Sequence, residues 1–197
     1  MATVKLFDVL WRTKNAGASP DDNRRTELYF AGCQKALSGN PCKNCFNPAL
    51  WDSKSNIPQD VIKIVDALDR HNIPKYITLV GGEPTDQKEG LIALVDELYK
   101  RGYETILFTW HDPFWVRVNI GIETLKKIAY VVCGPYDETQ RIYDTTKDDG
   151  IHNVIGSGNQ IILRYKSKGC FQSFRVGTLD CIKYSNGQPV FYKMEEG

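Results

Sequence analysis

The chain has 197 residues, 42% of them hydrophobic and 25% charged, with a formal net charge of +1. That length accommodates one well-buried domain with a small appendage, and the balanced charge argues against a disordered tail or a polyanion binder, so no nucleic-acid partner is expected. No apolar run approaches the roughly 20 residues that span a bilayer, and the opening MATVKLFDVLWRTK lacks the apolar core and cleavage pattern of a secretory leader; no membrane is expected, and the cytoplasm is the expected location.

In chain order, VKLFDVLWRT and TELYFAG read as strands separated by the polar loop KNAGASPDDNRR. After the cysteine-rich stretch 32–51, the segment DVIKIVDALDRHN spaces Val61, Ile64, Val65 and Leu68 three and four apart, which predicts a helix with one buried face. YITLV is a short apolar strand running into Gly81-Gly82, and GLIALVDELYKRG repeats the helical spacing up to Gly102. ETILFTW reads as the next strand, IETLKKI as a short helix, and AYVVCG and NQIILRY as strands flanking a polar loop. Strands alternating with helices imply parallel pairing in a sheet buried on both faces. From Gly169 onward the pattern changes: aromatic and β-branched residues alternate with polar ones about an SNGQ turn, which predicts appended antiparallel strands.

Ligands of such α/β sheets sit beyond the carboxyl ends of the strands, where GCQ, GGEP, TWHD and CGPY fall. Three of the six cysteines lie there as C-x8-C-x2-C: Cys33, Cys42 and Cys45. In a reducing compartment clustered thiols read first as metal ligands or redox groups. A structural zinc ion wants four protein ligands, yet His71 lies a whole helix away and Cys133 further still; a thioredoxin-type pair leaves Cys33 unexplained; three thiolates on an iron–sulfur cube leave one iron open. Spacing alone leaves these three readings standing. Glu83, in GGEP at a strand end, supplies a carboxylate suited to an ammonium group, with two glycines that allow close backbone approach. His111 reads as a loop histidine, and Cys170 and Cys181 as small buried hydrophobes.

Taken in order, the stretches AGC, CKNCFN, LVGGEP, FTW, CGPY and GSGNQIIL resemble the radical S-adenosylmethionine superfamily, and more narrowly the small activating enzymes of anaerobic ribonucleotide reductase, over residues 3–165. The resemblance implies an α/β fold, a partial (βα)6 barrel over residues 1–165 with a small antiparallel β extension over 166–197. It implies that Cys33, Cys42 and Cys45 hold a [4Fe-4S] cluster whose open iron chelates S-adenosylmethionine, and that one electron yields a 5′-deoxyadenosyl radical. Glu83, with Gly81 and Gly82, takes the methionyl ammonium; Phe46 shields cluster or adenine; Thr109 and Trp110 meet ribose or carboxylate; Asn159 bounds the adenosyl pocket. Implied partners are a large glycyl-radical reductase as protein substrate and a low-potential electron donor such as flavodoxin or ferredoxin.

Three departures accompany the resemblance. Eight residues separate Cys33 from Cys42 where the family has three, Cys133 stands where the family tends to have an acidic residue, and the smallest members lack the tail. The long loop and the tail favour an alternative, a stand-alone radical enzyme on a small molecule or peptide similar to 7-carboxy-7-deazaguanine synthase. A third reading is a non-catalytic zinc-binding interaction module.

Overall fold

The computed structural model describes residues 1–13, 24–71, 73–141, 156–165, 179–185 and 188–193, the last two segments as backbone. The chain begins with β1 (Thr3–Val4), β2 (Leu6–Thr13) and β3 (Arg25–Phe30), then the short α1 (Gln34–Leu37), β4 (Gln59–Asp60) and α2 (Val61–Arg70). Next come β5 (Tyr76–Gly81), α3 (Lys88–Lys100), β6 (Glu104–Thr109), α4 (Pro113–Ile120), α5 (Ile122–Leu125) and β7 (Tyr130–Cys133). The chain closes with β8 (Ile161–Tyr165), β9 (Leu179–Ser185) and β10 (Gln188–Lys193).

Eight strands form one sheet in the order β10-β9-β8-β7-β6-β5-β3-β2, while β1 pairs with β4. Pairing is parallel for β3-β5, β5-β6 and β6-β7, and antiparallel for the other neighbours. The mixed α/β class agrees with the alternation in the sequence; the six parallel strands of a (βα)6 barrel are replaced by four, and the described strands form an open sheet. The physical reason lies after β7. The described part of its connection to β8 is a single 3-10 turn at Glu138–Gln140, and β8 returns antiparallel, with Val132 opposite Ile162. The antiparallel β9-β10 pair agrees with the SNGQ signal, and its strands continue the same sheet.

Burial explains the pairing. Leu28, Ile77, Leu79, Leu107, Val131 and Leu163 form one apolar cluster with Val61, Val65 and Leu68 of α2 and Leu91, Leu94 and Leu98 of α3. Their sheet neighbours Thr78, Ile106 and Val132, which point to the opposite face by strand alternation, are also buried. Asp60 starts α2 by accepting from the Ile62 and Lys63 amides at 2.9 and 3.2 Å. Helix α4 was not expected from spacing, yet its start is written in Asp112-Pro113: the aspartate accepts from Trp115 N at 2.8 Å and proline occupies the first turn. Among the described residues no helix is long and apolar enough to cross a membrane.

At the amino ends of the parallel strands, Arg25 is buried and fully engaged. Its guanidinium donates to Thr78 Oγ1 at 2.9 Å, Ile77 O at 2.6 Å and Glu104 O and Oε1 at 3.0 Å each. At the carboxyl ends, Gly81 has φ +120°, and a Cβ there would meet the Phe30 backbone; one on Gly82 would overlap Gly32 O. The close approach these glycines permit is therefore between β5 and the strand end of β3, secured by Gly82 N to Phe30 O at 2.8 Å and Glu83 N to Gly32 O at 2.7 Å.

Candidate functional site

Cys33 leaves the end of β3 at the N-terminal position of α1 and is buried. The Gly32 and Cys33 amides donate to Leu50 O and Trp51 O at 2.7 and 3.0 Å, and Gln34 N donates to Asp86 Oδ2 at 2.6 Å, so the start of the loop is held on three sides. Cys42 and Cys45 lie half-buried in a tight turn, with Cys45 N donating to Cys42 O at 3.2 Å and Asn44 at φ +52°. One sulfur accepts a backbone hydrogen bond, Asn47 N donating to Cys45 Sγ at 3.4 Å, and the Tyr136 amide pulls the Cys42 thiol down against burial.

These thiols share one electrostatic environment. Burial pushes Cys33 up to about 11, and the negative charges of Glu83, Asp86 and Cys42 push the same way. Burial also raises Cys42, which feels Cys45, Glu83 and, in the opposite sense, Lys35. Cys33 and Cys42 thus both feel Glu83, Cys42 also feels Cys45, and all three cysteines are free of disulfides. A thiolate at such a place requires positive charge alongside it, which iron supplies.

Glu83 is buried, at 1% exposure, where the chain leaves β5. Its Oε1 accepts from Thr85 N at 3.0 Å and Thr85 Oγ1 at 2.7 Å; its Oε2 accepts from Trp110 N at 3.0 Å. Desolvation outweighs these donors, and the opposing pull of the Thr109 hydroxyl, and lifts the carboxyl to about 7. Among the described residues no cation pairs with it. Trp110 is therefore joined to Glu83 by a hydrogen bond across the neighbouring ends of β5 and β6, with Thr109 beside it.

The remaining expected residues border this group. Among the described residues Trp110 Nε1 and Asn159 Oδ1, both shielded from solvent, find no hydrogen-bond partner, while Asn159 Nδ2 donates to Pro135 O at 2.7 Å. Phe46 is 57% exposed, its ring centroid 4.3 Å from that of Tyr136 with Arg141 on it as well, so it faces outward from the loop. His111 lies between two indoles, stacked at 3.4 Å on Trp115 and 3.7 Å from Trp110, and burial lowers it to about 4. Cys133 is fully buried beneath the end of β7. Cys170 and the side chain of Cys181 lie outside the described residues.

Several contributors escaped the sequence reading. Tyr136 reaches a cysteine through its amide, a group every residue carries, so no signal marked it. Gln160 staples the loop before β8, accepting from the Gly156 and Ser157 amides at 2.9 and 3.2 Å and donating to Gly134 O at 3.0 Å. Gln87 ties the GGEP turn to the strands beside it, donating to Lys5 O and Ala31 O at 3.0 Å each. Gln87 follows GGEP and Gln160 lies within GSGNQIIL, both motifs already singled out, which was the available signal.

Comparison with protein families matches residues 22–163 to the 4Fe-4S single cluster domain, well over half of the chain and spanning every group just described from Cys33 to Asn159. The chain belongs to the 4Fe-4S single cluster domain family. Comparison with curated proteins finds no match. For a 4Fe-4S single cluster domain the spacing of donors is informative. Among the described residues no three cysteine, histidine or acidic side chains converge as a single metal ion requires. A cube spreads its thiolates over separate irons, so three free thiols on one loop, one of them with an amide donor to sulfur, fit the cluster this family carries.

Proposed function

We propose that this protein is a radical S-adenosylmethionine enzyme, with Cys33, Cys42 and Cys45 as the cluster ligands and a glycine of an anaerobic ribonucleotide reductase as the hydrogen donor. The observation that carries the reading is Glu83: a fully buried carboxyl group with no cation of its own among the described residues, in the electrostatic field of Cys33 and Cys42. A buried charge left unanswered is costly, and a ligand ammonium answers it. Three thiolates leave a coordination position for such a ligand, whereas four would close the cube.

When bound, the cluster and the sulfonium supply an electron and a cleavable carbon–sulfur bond. This chain's residues do the rest. Cys33, Cys42 and Cys45 anchor the metal; the Tyr136 and Asn47 amides stabilise negative charge on sulfur; Glu83, oriented by Thr85, Thr109 and the Trp110 amide, fixes the amino end of the ligand. Trp110 Nε1 and Asn159 Oδ1 provide one donor and one acceptor for its polar nucleoside part. A low-potential electron donor such as flavodoxin or ferredoxin is the partner this chemistry calls for.

The test is anaerobic reconstitution with iron and sulfide, then addition of S-adenosylmethionine and a strong reductant, with 5′-deoxyadenosine measured as product. Adding a cognate large reductase is expected to give a glycine-centred radical signal by electron paramagnetic resonance. A reconstituted cluster that never yields 5′-deoxyadenosine defeats the proposal; nucleoside formation without any glycyl radical across several reductases defeats the choice of substrate alone.

A further inference from the structure

Resting on the radical S-adenosylmethionine reading, we propose that Lys35 binds the α-carboxylate of the ligand's methionyl end, opposite Glu83. The methionyl end is a zwitterion, so a site that meets its ammonium with a carboxylate has a matching use for a cation. An α-carboxylate presents two acceptor oxygens, and a lysine ammonium can donate to either.

Among the described residues, two cations beside the cysteine loop are committed. Lys43 pairs with Asp137 at 3.8 Å, and Arg141 pairs with Glu138 at 3.4 Å and lies over Phe46. Lys35 differs. It is half-buried on α1, two residues after Cys33, and its ammonium has no ion pair or hydrogen bond among the described residues. It rests 5.1 Å from the centroid of the Trp110 ring. A cation–π contact holds an ammonium in place without neutralising it. Trp110 is also the residue whose amide binds Glu83 at 3.0 Å. A cation over the ring and a carboxylate on the amide thus flank one residue at the end of β6, without pairing with each other.

The eight-residue spacer between Cys33 and Cys42 gains a purpose in this arrangement. It includes α1, whose Leu37 N to Cys33 O hydrogen bond at 3.0 Å sets the turn that carries Lys35 back toward β6. The other role open to Lys35 is to offset the negative charge of cluster and thiolates, since Cys42 feels it. The two roles separate by ligand chemistry, because only the first depends on a carboxylate in the ligand.

The experiment uses reconstituted holoprotein, wild type and the variants Lys35→Met and Lys35→Arg, with anaerobic equilibrium binding of S-adenosylmethionine and of its decarboxylated analogue. Lys35→Met is expected to keep its iron and sulfide, to lose about ten- to a hundredfold in affinity for S-adenosylmethionine, and to bind the decarboxylated analogue as wild type does. Lys35→Arg is expected to retain most of the affinity. Equal weakening of both ligands, no weakening of either, or loss of iron from Lys35→Met overturns the assignment. Wild-type holoprotein that binds neither nucleotide overturns the functional reading beneath it, a result distinct from the other three.

Discussion

The two ends of the parallel strands are both polar, and they treat buried charge in opposite ways. At the amino ends Arg25 is answered by Glu104, a threonine hydroxyl and two carbonyls; at the carboxyl ends Glu83 is held only by neutral donors. Orphaned hydroxyls do not distinguish the ends, because among the described residues Thr26 and Thr105 near Arg25 also lack partners. What distinguishes them is a buried carboxyl group that has no counter-ion among the described residues. One end is finished by the fold; on the proposed reading, the other is finished by a ligand.

The largest effect that would break this comparison is at the cysteines. Replacing Cys33, Cys42 or Cys45 singly by Ser is expected to remove most of the reconstituted iron and sulfide, read by metal analysis and the visible absorption of the cluster, while Cys133→Ser retains both. Retention of a full cluster by any of the first three would end the assignment of the open end. At the closed end, Arg25→Met is expected to cost about 3 kcal/mol in denaturant unfolding, since it removes the guanidinium's bonds to Ile77 O and to Glu104, and to leave cluster content unchanged.

Glu83→Gln sharpens the contrast through pH. The folded carboxyl sits at about 7, raised mainly by desolvation against the Thr85, Thr109 and Trp110 donors, with Cys33 and Cys42 as its ionisable neighbours. Its unfolded value is near 4.3. The folded state therefore holds the proton more tightly, so its stabilising contribution is complete below about pH 4 and is lost as pH rises through about 7. Cluster-free wild type is expected to lose on the order of 3 kcal/mol across that window, with Glu83→Gln largely independent of pH there. A wild-type profile that instead rises from pH 5 to 8 would contradict a buried, unpaired Glu83.

The smallest expected effect lies in the ion network outside both ends. Asp69 accepts from Lys75 at 2.6 Å, from Arg101 at 2.8 Å and from the Tyr103 hydroxyl at 2.8 Å, which holds it well below the usual carboxylate range. Asp69→Asn is expected to cost about 1 kcal/mol at neutral pH, because the pairs are solvent-screened. A depressed carboxyl stabilises above its unfolded value and loses that contribution as pH falls, so the difference between wild type and variant is expected to shrink below about pH 4.

The elements that the sequence made legible are those whose signal is local. Val61, Ile64, Val65 and Leu68 declare a buried helical face by spacing alone, and the structure buries all four. The short thiol spacing of Cys42 and Cys45 and the GGEP strand end were readable in the same way. Helix α4 was overlooked because its apolar residues are not confined to one face: Phe114 and Val118 are exposed while Val116 and Ile120 are buried. Gly81 and Gly82 were read toward a ligand, yet the backbone that approaches them is that of Phe30 and Gly32.

By itself the sequence determined the α/β class, the thiol trio and the carboxylate at a strand end, because hydrophobic period, residue chemistry and motif order are carried by neighbours along the chain. Only the tertiary structure decided that the sheet holds four parallel strands and turns antiparallel at β8, and that Lys35 lies over Trp110 while Glu83 holds that residue's amide. These contacts join residues far apart in the chain, and whether a charge is answered depends on everything that surrounds it in space.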